Sequence, residues 1–344
     1  MQGIRTPILL ALLASLSLMM QSAEADLVVL QYHHIADDTP GSTSTSPALF
    51  RQQLDMITQL QLEVVPLRQG TKAALAGRDP ATNTIAITFD DAYESVHSYA
   101  APLLEQQQMP YTVFVNPEAI GSPGYMTWEQ LRMMTGSRLA TIANHSNGHG
   151  HLARKPGEKK QAWHQRTDRS LDLAQKFLQQ KLGVAEPMFA YPYGEFDQAL
   201  EDKVRQRGWY GFGQQSGAIG RYSASTRLPR FPMANTYGQL GSLKDKLLSK
   251  AFPTDAGKLP DGIVEQNPPV LVFAYGPEIN TDRLSCFASG LGQIRATVNG
   301  DEVSVQAPKA INSRRFRYNC THPAGNGSYY WLSQQWLNLQ APED

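Results

Sequence analysis

The residues best suited to chemistry in this chain are carboxylates and imidazoles gathered in a few short segments. Thr88-Phe89-Asp90-Asp91-Ala92 sets two adjacent carboxylates at the end of a buried apolar run. Standing alone, such a pair reads somewhat more readily as an Asp-rich turn, because Asp favours turns and helix starts. His145-Ser146-Asn147-Gly148-His149 follows, with His151 just beyond, so three of the chain's eight histidines fall within seven residues. Two imidazoles four positions apart can converge on one ion. Gly148 and Gly150 argue against a long helix there, so a tight turn must do the positioning. A third ligand is required, and Asp91 or Asp90 could supply it. A His-His-Asp set with open positions suits catalysis by Zn²⁺ or a similar divalent ion. A third segment, Tyr191-Pro192-Tyr193-Gly194, is a sharp loop in which a backbone N–H could face the site.

These segments follow predicted strands. Leu27–His33, Thr84–Phe89, Tyr111–Val115, Met188–Tyr191 and Trp209–Phe212 are short runs rich in β-formers. Helices are expected between them. Ser46-Pro47 supplies an N-cap and a proline at the first helical position, ahead of Phe50, Leu54, Ile57 and Leu60 on one face. Thr127 to Gln130 has capping-box form and Gly136 sits where that helix would end. Thr167–Lys181 and Gln198–Arg207 complete the helical set. Alternating strands and helices argue for parallel βα units, which an open doubly wound sheet and a barrel both satisfy. No phosphate-cradling Gly-rich loop follows any strand, which weakens a nucleotide-binding reading. The chemical candidates lie just after strands, where a barrel builds its active site.

Beyond about residue 260 the pattern changes. Val270–Tyr275, the two runs flanking Asn299-Gly300, Phe316–Cys320 and Tyr329–Ser333 read as strands. Asn-Gly between alternating runs predicts a type I′ hairpin. We expect a small all-β, sandwich-like module over 261–344, after a catalytic domain over 26–260. Cys286 and Cys320 are the chain's two cysteines, and in an exported protein such a pair is most simply a disulfide. Closing that loop contributes about 3–4 kcal/mol on a chain-entropy account. Tyr329, Tyr330, Trp331 and Trp336 could stack on sugar rings, but more often such residues form the core of a small sandwich.

Residues 1–25 read as a cleavable signal peptide. Arg5 gives the positive start, Ile8–Met20 the apolar run and Ala23-Glu24-Ala25 the cleavage pattern, with the cut after Ala25. The expectation is a secreted or periplasmic protein without a transmembrane segment after cleavage. The 31 basic and 31 acidic residues balance, so no charge asymmetry favours nucleic acid or an anionic membrane. Hydrophobic residues at 41% of the chain allow a sizeable core. Oligomeric state is not legible.

The order and identity of the motifs resemble the polysaccharide deacetylase family, the NodB-homology carbohydrate esterases. That family's T-F-D-D-G, H-[S/T]-x-x-H and R-x-P-Y-G appear here as T-F-D-D-A, H-S-N-G-H and A-Y-P-Y-G, over roughly residues 27–240. The resemblance implies a distorted (β/α) barrel with the β module appended. It implies an amino-sugar polysaccharide as substrate and one divalent metal ion, Zn foremost with Co, Ni or Fe as alternatives. By the same resemblance Asp91, His145 and His149 are the metal ligands and Asp90 is the general base. Oxyanion stabilisation falls to the metal and the Tyr193 backbone. Arg230, in Leu228-Pro-Arg-Phe-Pro232, resembles the arginine that pairs with the base, though by itself it reads equally as a loop cation.

Three departures stand out. Ala92 replaces the motif glycine, and Ala190 stands where the third motif has arginine. The late histidine that serves as acid in the family is missing, since His322 alone follows residue 164. Tyr32-His33-His34 resembles the strand end of exported poly-N-acetylglucosamine deacetylases, which makes His33, ahead of His34, the expected acid. Rival readings are a non-catalytic polysaccharide-binding protein on this scaffold and a metal amidohydrolase for small amides.

Overall fold

The computed structural model describes residues 26–77 and 83–343. The expected signal peptide lies outside the described residues. Among those described, no helix is long and apolar enough to cross a membrane.

The principal sheet runs in the order Ala218–Ile219, Leu27–Tyr32, Thr84–Asp90, Tyr111–Val115, Ala140–Asn144, Met188–Ala190, Tyr210–Phe212. All neighbours are parallel except the first pair. These strands are buried on both faces, as the continuous apolar runs require when helices cover a parallel sheet. The pleat sorts their side chains. Val28, Leu30 and Tyr32 join Ile85, Ile87 and Phe89 in an outer core, where the Pro47–Gln59 helix contributes Phe50, Leu54 and Ile57. Leu27, Val29, Ala86, Phe114, Ala143, Ala190 and Phe212 share an inner core. Parity therefore carries Gln31, Thr88 and Asp90 to the inner side as well.

The sheet curls, and the segment 228–232 links its last strand, Tyr210–Phe212, to Leu27–Tyr32, the first strand in the chain. Leu228 bridges to Phe212 on the last strand, and Phe231–Pro232 pairs in parallel with Leu30–Gln31 on the first. A distorted barrel results, as the motifs implied.

The second set of strands forms a sandwich. One sheet contains Ser285–Ala288, Gly292–Ile294, Arg315–Gly325 and Ser328–Leu337, with Lys250–Ala251 added in parallel at its edge. The other contains Val270–Ala274, Ala296–Asn299 and Glu302–Gln306. Phe273, Val303, Val305, Phe316, Tyr318 and Trp336 lie between them. Cys286 and Cys320 stand directly opposite on paired strands and form a disulfide. Trp336 is thus core, while Trp331 packs edge-to-face on Phe231 of the barrel at 5.2 Å and Tyr329 is exposed.

Three local expectations shift. The hairpin forms, but Asn299 pairs with Glu302, so the two-residue loop is Gly300-Asp301. Positive φ occurs at Gly300 and not at Asp301, the pattern of the other common hairpin turn, which places glycine first. The helix expected from Thr167 begins at Lys160, with no side-chain cap to mark its start. The two long strands of the sandwich extend well past their most apolar stretches, because Thr321, His322 and Pro323 are held by ladder pairing with Tyr329, Tyr330 and Trp331.

Glu195 fastens the sandwich to the barrel. It is fully buried and accepts from His151 Nδ1 (2.9 Å), Arg314 Nε (2.7 Å), Arg314 Nη2 (3.0 Å) and Arg315 Nη1 (2.9 Å). Burial alone would raise its pKa, but the hydrogen bonds from Arg314 and His151 hold it below the usual range. Removing one partner of such a buried cluster costs about 3–5 kcal/mol. Glu195→Ala should therefore split the calorimetric unfolding of the full chain into two transitions, the barrel and the sandwich melting apart. A single transition at the unchanged temperature would show that the clamp does not couple them.

Candidate active site

Asp90 ends its strand inside the barrel and is fully buried. Arg230 meets it with two parallel bonds, Nη1 to Oδ1 at 2.7 Å and Nη2 to Oδ2 at 2.8 Å. Gln31 Nε2 adds a third, to Oδ2 at 2.7 Å. Arg230 is itself fully buried, its Nε donating to Gly213 O (2.8 Å), its Nη1 also to Thr88 Oγ1 (3.2 Å), and its plane lying 5.4 Å from the Phe114 ring. Its position follows from the chain path, since residue 230 sits midway along the segment that links the strands Tyr210–Phe212 and Leu27–Tyr32. Burial pushes the Asp90 carboxyl upward, but the charge and hydrogen bonds of Arg230 prevail and hold it far below the usual carboxylate range. Three of roughly four lone-pair sites on the carboxylate are taken, which leaves capacity for one more proton donor.

The next residue breaks the strand. Asp91 and Ala92 both have positive φ, 73° and 61°. That conformation explains why glycine suits the position of Ala92 and why alanine there carries strain. The reversal turns Asp91 away from Asp90 and toward the histidines. Asp91 Oδ1 lies 3.5 Å from His145 Nε2 and 3.3 Å from His149 Nε2, and the three ligand atoms fall within 4.8 Å of one another.

Both imidazoles come from the turn after the Ala140–Asn144 strand. His145 N donates to Val115 O (2.9 Å), Ser146 N to Asn144 Oδ1 (2.8 Å) and Gly148 N to Asn116 Oδ1 (2.9 Å). Ser146, Gly148 and His149 adopt positive φ, so a tight turn rather than a helix brings the rings together, 4.9 Å apart. Asn144 is fully buried and donates to Leu171 O.

The donor set fits a divalent ion. His145 Nδ1 donates to Ala190 O at 2.8 Å, which fixes the tautomer and leaves the Nε2 lone pair free. That Nε2 is buried and has no hydrogen-bond partner. A buried acceptor facing a carboxylate is costly unless a cation lies between them. The pKa of His149 is lowered to about 4, by burial and then by the neighbouring His145, so the ring is a neutral ligand at physiological pH.

A cleft of about 910 Å³ opens above these groups. Gln31, His33, Asp91, Tyr93, His149 and Tyr193 are among the residues lining it. Parity separates the two early histidines. His33 continues the inward series of Leu27, Val29 and Gln31 and faces the cleft, whereas His34 stacks on Tyr93 with ring centroids 3.5 Å apart. Tyr193 has φ 58° and lies flat against His151, centroids 4.1 Å apart. The following Gly194 also has positive φ, and a Cβ there would meet the Gln214 side chain at 2.7 Å.

Sequence reasoning reached Asp90, Asp91, His145, His149, His33, Tyr193 and Arg230, and the structure gathers all seven around this cleft and the buried pair beneath it. It missed Gln31, whose signal was available in its parity with His33. It also missed Arg315 and Arg317, which enter the cleft from the sandwich.

Comparison with known proteins agrees with this geometry. Residues 77–211 match the family described as polysaccharide deacetylase. That segment is similar to a polysaccharide deacetylase domain. The chain is similar to the poly-β-1,6-N-acetyl-D-glucosamine N-deacetylase of Escherichia coli K12, at 22% identity over 60% of this chain and 36% of that protein. The Staphylococcus epidermidis protein of the same name is 25% identical over 54% of this chain and 66% of its own length. The chain thus spans about a third of the first relative and just under two thirds of the second. Among solved structures, IcaB from Ammonifex degensii superposes with a TM-score of 0.54 at 26% identity, covering 64% of this chain and 94% of that one. A de-N-acetylase from Aggregatibacter actinomycetemcomitans gives 0.55 at 21% identity, over 64% and 100% of the two chains, and shows the fold alone.

At this site Ala190 offers only its carbonyl to His145, and the guanidinium against Asp90 comes from Arg230. Arg230→Met should destabilise the chain by about 3–5 kcal/mol at pH 7, because it leaves a buried carboxylate unpaired. In the wild type the depressed Asp90 pKa gives stability that is present above the unfolded value, near 4, and lost only in strong acid. In the variant, burial is opposed only by the weaker Gln31, His145 and His33 contacts and raises that pKa, so the gap between the two proteins should narrow as pH falls through about 6 to 4. Urea unfolding across that range checks it. A gap independent of pH would mean the loss is one of packing.

Proposed function

We propose that the chain hydrolyses N-acetyl groups from an amino-sugar polysaccharide, with one divalent ion held by Asp91, His145 and His149. The observation that carries this reading is a buried, arginine-held carboxylate next in sequence to the Asp of a His-His-Asp donor set, two of whose members line one cleft. Zinc is the first choice for the N,N,O ligands, with Co, Ni or Fe as alternatives. When bound, the ion supplies Lewis acidity toward water and the acetyl carbonyl.

The chain's own residues supply the rest. Asp90 accepts the proton of the attacking water through its remaining lone-pair site, and Arg230 keeps it ionised and fixed in orientation. Gln31 has its Nε2 committed to Asp90 and helps to fix that carboxylate in orientation. His33 faces the cleft and donates a proton to the departing amine. The Tyr193 backbone adds to stabilisation of the carbonyl oxygen. Poly-N-acetylglucosamine is the polymer suggested by the names of the relatives, and the apolar segment over 1–25 would direct export before the enzyme meets it.

A cleft of this volume stands at the upper end of small-molecule pockets and takes walls from two modules, which favours a polymer over a small amide. The intact base–arginine pair favours turnover over mere binding. Acetate release from β-1,6- and β-1,4-linked N-acetylglucosamine oligosaccharides, with Zn²⁺ or Co²⁺ added, tests the reading. Chelation should abolish release, and Asp90→Asn should lower kcat about 10²–10⁴-fold with little change in KM. His145→Gln should lose the one metal ion per chain. Release that survives both the chelator and Asp90→Asn would refute the mechanism.

A further inference from the structure

The sandwich does more than cap the barrel, because one of its strands forms a wall of the cleft. Along Arg315–Gly325 the pleat alternates. Phe316, Tyr318 and Cys320 point into the sandwich core, and Arg315 and Arg317 occupy the opposite face. Both arginines line the same cleft as Asp91, His33 and His149. A smaller space of about 280 Å³ adjoins the cleft, sharing Pro232, Tyr237 and Arg317 with it, and adds Lys246. Arg317 therefore stands at the junction of the two.

Charge in this region is lopsided although the whole chain is neutral. Among the residues lining the two spaces, Asp91 is the sole carboxylate, and it belongs to the proposed metal site. Arg315 shares the single negative charge of Glu195 with Arg314. Arg317 makes no side-chain hydrogen bond or ion pair among the described residues, although it is partly buried. A guanidinium carries five donors, and sheltering it beside a second guanidinium with no acceptor is unfavourable. Such an arrangement is stable at little cost on an open surface, but here it faces a groove beside the reaction centre, where a ligand can complete it.

We propose that Arg317, with Arg315 and Lys246 beside it, forms a subsite for an anionic substituent of the polymer, so that the substrate is an acidic amino-sugar polysaccharide. This rests on the hydrolase reading and puts an acidic polymer in place of the neutral poly-N-acetylglucosamine that the relatives' names suggest. A carboxylate on a sugar next to the N-acetylated one would accept the paired donors of the Arg317 fork, fixing the register of the chain across the floor of the cleft. A neutral polymer would leave those donors unmet.

The test compares two ligands of one backbone on the full chain, a tetrasaccharide alternating N-acetylglucosamine and glucuronic acid, and its carboxyl-reduced neutral counterpart. Equilibrium binding is measured with EDTA present, so that turnover does not intrude. The acidic form should bind about tenfold or more tightly than the reduced form, and the preference should shrink as salt rises from 0.05 to 0.5 M. Arg317→Ala should bring the ratio within about twofold, and Arg317→Lys should keep part of it. Equal wild-type affinities, no measurable binding of the acidic form, or an undiminished preference in Arg317→Ala would each overturn the subsite. Acetate release from metal-loaded protein separates the two claims. Release without acid preference refutes the subsite alone, and acid preference without release refutes the hydrolase alone.

Discussion

A carboxylate sealed inside a barrel must meet a cation, and everything at this site is arranged around how Asp90 meets Arg230. Neither group is exposed to bulk solvent. Each would be prohibitive alone, and the pair is tolerable because the bonds are bidentate and the remaining guanidinium nitrogen is satisfied by Gly213 O. The arginine can reach Asp90 only if the segment 228–232 crosses between the first and last strands. Barrel closure and the electrostatics of the site are thus a single structural event. The arrangement also separates two neighbouring carboxylates by role. Asp90 faces inward to a fixed cation, and the left-handed backbone at Asp91 turns the next carboxylate outward to the imidazoles.

That separation is bought with strain. Asp91, Ala92, Ser146, His149 and Tyr193 all hold positive φ without being glycine, a conformation that costs of the order of 1 kcal/mol or more per residue. The strained positions fall on the loops that follow strands, and the strands beneath them are fully buried. A stiff base can hold strained tips in a geometry that an isolated peptide would relax.

Legibility in the sequence followed the range of the interactions. The Asp-Asp and His-x-x-x-His segments were readable because each is local and type-specific, and strand parity separates His33 from His34. Helix starts were readable where a side chain caps them, as at Ser46 and Thr127, and not at Lys159, where none does. Arg230 was ambiguous because its meaning depends on a partner 140 positions away. Arg315 and Arg317 carried no signal at all. An i, i+2 pair of arginines on a strand usually marks a solvated face, and only the docking of the sandwich turns that face toward the site.

The docking contacts lead back to the reaction centre through unbroken packing. His149 meets the Tyr193 ring edge-on at 4.6 Å, Tyr193 lies against His151, His151 bonds to Glu195, and Glu195 holds Arg314 and Arg315. The Arg315 guanidinium lies over the Tyr193 ring, 5.2 Å from its centroid. Tyr193 is therefore held by the barrel through His151 and by the sandwich through Arg315. Its strained backbone conformation needs restraint from outside the loop, and those two contacts are what the fold provides. On this argument the sandwich belongs to the site's construction, since without it one wall of the cleft and one support of Tyr193 would both be missing.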